Sequence, residues 1–125
     1  MHMHKLETVF AQLSQDAKSD IQMLKLTEGA MVLFAAELKA GKKLPAHYHR
    51  DGTEIYQILG GDGIFELGQL DGGHVVWSDC LSVGQGDIFE VQSGWVHRLS
   101  GGAQDLRMIF FTPSSHLGED RTFIN

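Results

Sequence analysis

Gly41-Lys42-Lys43-Leu44-Pro45-Ala46-His47-Tyr48-His49-Arg50-Asp51-Gly52-Thr53-Glu54 carries two histidines at i and i+2 and a glutamate five residues further on, between glycine-marked turns. On an extended strand successive side chains alternate faces, so His47 and His49 point the same way, roughly 7 Å apart at Cα. The Asp51-Gly52 loop turns the chain back, and Glu54 opens an apolar run, Ile55-Tyr56-Gln57-Ile58-Leu59. Two imidazoles and a carboxylate from adjacent strands can then meet at one point, and first-row divalent metals prefer that ligand set.

Outward from this stretch, the chain reads as more strands. Ile21 to Leu26 alternates apolar and polar residues, Met31 to Leu38 is a nearly continuous apolar run, and Ala40-Gly41 turns it. After Leu59, Gly60-Gly61-Asp62-Gly63 reads as a hairpin turn requiring positive φ, with Ile64 to Leu67 returning from it. Two short pieces follow, His74 to Trp77 and Leu81 to Val83. Gly84-Gln85-Gly86-Asp87 then leads into Ile88 to Val91, Ser93-Gly94 into Trp95 to Ser100, and Leu106 to Thr112 is a last apolar strand. Eight or nine short strands with 15 glycines, 2 prolines and no convincing helix in the body predict an all-β sandwich or barrel.

The organisation expected is one domain of 125 residues. Residues 1–20 form an N-terminal arm, residues 21–113 the β-barrel and residues 114–125 a polar C-terminal tail on the surface or on a partner subunit. Leu6, Val9, Phe10 and Leu13 have helical spacing in the arm and would gain by packing across a two-fold homodimer. His2 and His4 make another His-x-His pair, but no third ligand lies near them, so they read as part of a terminal segment.

One further histidine completes a site. His97 follows Gly94-Trp95-Val96 on the penultimate strand, and if that strand lies beside the first pair it supplies a third imidazole. Together the two stretches resemble the motifs of the cupin family. Its first motif is glycine, five residues, His-x-His, three or four residues, glutamate, six residues, glycine; here Gly41, His47-Tyr48-His49, Glu54 and Gly61 keep that spacing. Its second is glycine, five residues, Pro-x-Gly, two residues, histidine, three residues, asparagine; here Gly86, Gln92-Ser93-Gly94, His97 and Gly101 do. Gln92 replaces the proline and Gly101 the asparagine, and neither is a metal ligand in that family. The resemblance spans about residues 30 to 112. It implies a small double-stranded β-helix (cupin or jelly-roll) barrel with His47, His49, Glu54 and His97 as metal ligands. The long gap between the motifs makes the Leu67 to Trp77 segment an extended hairpin.

Such a donor set suits Fe, Mn, Ni, Zn or Cu as the divalent cofactor, and affinity order alone does not choose among them. Alternation places Tyr56 and Ile58 inward with Glu54, and Trp95 and Leu99 inward with His97, giving a largely apolar, aromatic interior. Tyr56 is the one candidate catalytic residue, a proton donor to a bound substrate, weighed against a tyrosine that fills the core. Phe34, Phe65, Phe89, Phe110 and Phe111 read as packing. His74 and His116 have no evident partner. No base, nucleophile or anion clamp of motif quality accompanies the ligands.

The function expected is a metal-dependent enzyme of oxygenase type acting on a small organic molecule that ligates through oxygen. Sugar or keto-acid isomerisation or epimerisation is one alternative, and a non-catalytic module binding metal or a small molecule is another. A net charge of −6, with no basic cluster beyond Lys42-Lys43, argues against nucleic acid. No apolar run reaches membrane-span length, and the lone Cys80 fits a reducing compartment, so the expected setting is cytoplasmic.

Overall fold

Residues 3–117 and 119–124 are described in the structure, a computed structural model. A short helix α1 (Leu6–Val9) leads into strands β1 (Ser14–Gln15), β2 (Gln22–Lys25), β3 (Met31–Leu38), β4 (Lys43–Tyr48), β5 (Glu54–Gly60) and β6 (Asp62–Asp71). Then come β7 (His74–Gly84), β8 (Ile88–Val91), β9 (Val96–Gly101), β10 (Leu106–Pro113), a 3-10 turn (Ser114–Leu117) and β11 (Thr122–Phe123). Two antiparallel sheets face each other, ordered β1-β2-β3-β10-β5-β8 and β11-β4-β9-β6-β7.

From β3 onward the chain passes back and forth between the sheets, β3 in the first, β4 in the second, β5 in the first and β6 in the second. The Gly60 to Gly63 turn is therefore a crossover between sheets, where a hairpin was expected. Glycine is required there for two reasons. Gly61 has φ +81°, and a Cβ at that position would collide with the Asp105 carbonyl oxygen. The true hairpin is β6–β7, the extended one expected. It turns at Gly72-Gly73, and the two short pieces read at 74–77 and 81–83 form one strand, with Cys80 exposed on it. Sequence alone cannot separate crossover from hairpin, since both need the same left-handed glycine.

The space between the sheets is filled as strand alternation requires. Tyr56 and Ile58 are buried while Ile55 is exposed, and Phe34, Phe65, Leu99, Met108 and Phe110 complete the apolar core. Each such side chain contributes on the order of 1.5–3 kcal/mol on burial. Phe111, expected in the packing, is instead 39% exposed, because it alternates with Phe110 on β10 and takes the outer face. The arm covers its own barrel. Val9 is buried with Leu26 and Ala35, and Phe10, Leu13, Leu33 and Ile109 pack around them on the outer face of the first sheet. The tail likewise lies on its own chain, with β11 paired to β4. His2 of the terminal pair lies outside the described residues, and the His4 ring bonds to the Leu26 carbonyl.

Candidate metal centre

The four expected residues arrive from three strands. β4 carries His47, with His49 just beyond its end; β9 carries His97; and β5 begins at Glu54. His47 faces His97 directly across the β4–β9 ladder. A register shift between Leu44 and His47 lets both point inward although they lie three residues apart. Pro45 sits in that irregularity, where its missing N–H costs no ladder bond, and its carbonyl accepts the His47 Nδ1–H at 2.8 Å.

The other two imidazoles are tied back in the same manner. His49 Nδ1 donates to the Asp120 carbonyl at 2.5 Å, and His97 Nδ1 donates to the Trp95 carbonyl at 3.2 Å. Each ring nitrogen so bonded holds the proton, which leaves Nε2 as the lone-pair atom. One donor atom from each of His47, His49, Glu54 and His97 lies within 4.8 Å of the others, and all four residues are buried. Glu54 Oε1 stands 3.3 Å from both His49 Nε2 and His97 Nε2. Neither of those nitrogens has a hydrogen-bond partner, and neither is open to solvent. A lone pair facing a carboxylate oxygen is repulsive, and a cation between them removes the repulsion. The residues present therefore fit a divalent ion with His₃Glu ligation.

Electrostatics agree. Burial, and after it the neighbouring His97, hold the His47 pKa well below its usual value, so this imidazole is neutral and able to ligate. Burial alone would raise the Glu54 pKa, but its neighbours, His116 at Oε2 foremost, more than offset this and hold it well below the usual carboxylate range. Glu54 is a carboxylate.

Tyr56 lies in the site but is not free. Its hydroxyl donates to Glu54 Oε1 at 2.9 Å, its ring stacks on Phe89 and Phe110, and burial followed by the Glu54 charge pushes its pKa well above 10. Glu54 Oε2 accepts from Thr112 Oγ1 at 3.1 Å.

Two residues that sequence reasoning missed stand beside the four. His116, from the 3-10 turn, is fully buried, stacks on His49 with ring centroids 4.0 Å apart, and places Nδ1 3.2 Å from Glu54 Oε2. Its Nε2 is bonded to the Asp51 carbonyl. Burial lowers its pKa, but Glu54 and the Asp51 carbonyl prevail and raise it. Arg121, also from the tail, is buried and lines the same cavity as His47, His49, Glu54 and Tyr56. Both belong to a polar segment with no apolar period, the signal by which buried residues are recognised. The short Thr122-Phe123-Ile124 run was the one available hint that this segment returns to a sheet.

The tail holds the ligand loop as well. The Asp120 carboxylate accepts the backbone N–H groups of Arg50 at 2.6 Å and Asp51 at 2.9 Å, while its carbonyl holds His49. The cavity inside measures about 10 Å³, room for a single water. A separate, open depression of about 260 Å³, lined by Leu67, Asp79, Glu90, Gln92 and Trp95, contains none of the four candidate ligands.

No family model matches the sequence, and no curated protein matches it. Solved structures do resemble the fold. An uncharacterised double-stranded β-helix protein from Klebsiella pneumoniae superposes with a TM-score of 0.72 at 14% identity, covering 100% of this chain and 98% of its own. A cupin domain from Schizosaccharomyces pombe gives 0.72 at 15%, covering 87% of this chain and 71% of that one. An oxalate oxidase gives 0.67 at 16%, covering 93% and 61% respectively. At these identities the likeness shows the fold alone. It is the double-stranded β-helix of the cupins.

Proposed function

We propose that His47, His49, Glu54 and His97 hold a divalent transition metal (Fe, Mn, Ni, Zn or Cu) and that the protein is a metal-dependent enzyme of oxygenase type. Its substrate is a small organic molecule that reaches the ion through oxygen. One observation carries the reading: three imidazoles, each with Nδ1 tied to a backbone carbonyl, gather with Glu54 so that one ligand atom of each lies within 4.8 Å of the others, with His49 and His97 turning Nε2 toward Glu54 Oε1. An ion bound there supplies Lewis acidity and, if redox-active, electrons for oxygen chemistry.

The chain's own residues do the rest. Backbone carbonyls of Pro45, Trp95 and Asp120 fix the ring orientations, Tyr56 and Thr112 hold the two Glu54 oxygens, and the small cavity excludes bulk water. Tyr56 contributes as a hydrogen-bond donor to Glu54. Its proton is held there, which weakens the alternative in which it protonates substrate. The aromatic lining of Tyr56 and Phe110 and the solved oxalate oxidase of the same fold support an oxidative reading.

Metal analysis of untagged protein from metal-balanced medium, with spectra in air and under argon, tests this. Near-stoichiometric iron with an oxygen-dependent spectrum is the expected result. No metal uptake, even after reconstitution, would remove the site; stoichiometric zinc, nickel or manganese without an oxygen response would remove the oxygenase reading and keep the site.

A cytoplasmic setting and a homodimer complete the proposal. The arm serves its own barrel, so a dimer would use the exposed Ile55 and Phe111, which pair across β5 and β10 on the outer face of the first sheet. No described helix is long and apolar enough to cross a membrane.

A further inference from the structure

Arg121 makes two bonds and leaves a third donor over. Its Nη1 and Nη2 donate to the two oxygens of Asp16, each at 3.0 Å, with side-chain exposures of 4% for Arg121 and 8% for Asp16. That is the end-on fork of the guanidinium. A guanidinium has a second, side-on edge that includes Nε–H. In Arg121 this Nε is buried and bonded to nothing. Buried donors are almost always paired, because an unmade hydrogen bond costs the full desolvation of the group. Surface charge does not explain it, since the whole residue is only 9% exposed.

Its position gives the spare donor a use. Arg121 lines the small cavity together with His47, His49, Glu54 and Tyr56. It is held in place on both sides, by the bonds of Asp120 to Arg50 and Asp51 and by the pairing of Thr122 and Phe123 with β4. The Phe123 ring lies 5.1 Å from its Cζ. Fixed, buried cations with an open donor edge select anions, and a planar carboxylate matches the side-on fork.

We propose that Arg121 is the anion-recognising residue of this cavity and that it selects small organic acids, binding one carboxylate through its Nε edge while Asp16 holds the opposite edge. The inference rests on the metal-centre reading for the chemistry that follows binding, and deepens it by naming the substrate class. The cavity admits about one water, which restricts the ligand to the smallest acids. Asp16 neutralises part of the guanidinium charge and so tempers the affinity.

Acetate is the probe, titrated at constant ionic strength into zinc-loaded and into chelator-treated protein. The Nε–H resonances of the four arginines, Arg50, Arg98, Arg107 and Arg121, are followed by NMR, and zinc content is measured in parallel. The Arg121 signal is assigned by its loss in Arg121→Gln. It is expected to move with saturation in wild type, while acetamide leaves it unmoved. Arg121→Gln is expected to bind acetate about tenfold more weakly, the effect of one charge-assisted hydrogen bond lost. Asp16→Asn, which breaks the same pair but keeps the cation, is expected to bind acetate more tightly than wild type. A purely structural pair would weaken binding in both variants, and that result overturns the proposal. An Arg121 Nε–H that ignores acetate in both forms of the wild-type protein also overturns it. Failure of wild type to take up zinc would count against the metal centre alone, since the arginine signal is read in chelator-treated protein too.

Discussion

Replacing Tyr56 by phenylalanine removes one oxygen atom and tests whether this side chain supports the carboxylate or merely fills the core. The hydroxyl donates to Glu54 Oε1 at 2.9 Å inside a site closed to solvent, with the ring stacked between Phe89 and Phe110. A hydrogen bond to a buried charged group contributes about 1.5–3 kcal/mol, and the phenyl ring of the variant keeps the stacking. Unfolding entropies near 2.1 cal/mol/K per residue give roughly 260 cal/mol/K for a 125-residue chain. A loss of 1 kcal/mol thus lowers Tm by about 4 °C, and the variant should melt about 6–11 °C below wild type in chelator.

With excess zinc the gap should widen. Removing a hydrogen bond that orients a metal ligand typically weakens metal binding about 10–100-fold. That takes away a further 1.4–2.7 kcal/mol or so of metal-linked stability, or roughly 5–10 °C. Scanning calorimetry of both proteins, with zinc and with chelator, reads both numbers. If the Tm gap is the same in the two conditions, the hydroxyl has no part in holding a metal and the reasoning about Glu54 is wrong.

Other outcomes follow from particular residues. His49→Ala should lose most bound metal by elemental analysis yet keep its far-ultraviolet circular dichroism, because the apolar strands carry the core; full metal stoichiometry in the variant would undo the assignment. Asp16 should make the protein acid-sensitive. Burial raises its carboxyl pKa, but Arg121 and Ser19 outweigh it and hold the folded value below 3.8. Its contribution is then fully present above that value and lost as pH falls through the lower folded one, so wild type should lose stability there more steeply than Asp16→Asn in urea titrations. Equal slopes would contradict the pairing. Gly61→Ala forces a Cβ onto the Asp105 carbonyl at positive φ and should cost more than about 3 kcal/mol or prevent folding; a variant as stable as wild type would show that the crossover is not as tight as described. Ile55→Glu on the outer face should shift sedimentation from dimer to monomer, and a wild type already monomeric at high concentration would end the dimer proposal.

Much of this molecule was legible before its structure. Apolar runs located β3, β5 and β10, and period-two alternation assigned the inward faces of Tyr56, Ile58 and Leu99, since the pleat allows one answer once Glu54 and His97 are inward. His47, His49 and Glu54 were readable together because ligand geometry imposes spacing, and the resemblance to the cupin motifs added His97 to them. The links between strands were not. Gly61 announces a positive φ, but whether the chain then pairs with its predecessor or crosses to the opposite sheet depends on β9 and β10, far along the chain. The tail was illegible for a different reason. His116, Asp120 and Arg121 are buried or bonded through polar atoms, and polar burial leaves no hydrophobic period to detect.

That same contrast divides the barrel's interior in two. The apolar cluster around Leu38, Ile58, Phe65, Leu99 and Leu106 would stand on hydrophobic burial alone. Most of the buried polar residues, namely His47, His49, Glu54, His97, Thr112, His116 and Arg121, gather in or beside the candidate site. Burying so many polar groups opposes folding unless each is paired, and His49 Nε2, His97 Nε2, His116 Nδ1 and Arg121 Nε make no hydrogen bond. An apolar region stable enough to carry that cost lets the polar one be shaped by ligand chemistry instead of by packing. His116 Nδ1 faces Glu54 Oε2 at 3.2 Å; the other unpaired atoms are of two kinds, lone pairs that want a cation and an N–H that wants an anion. A metal ion and a carboxylate bound together would satisfy both, and neither alone would.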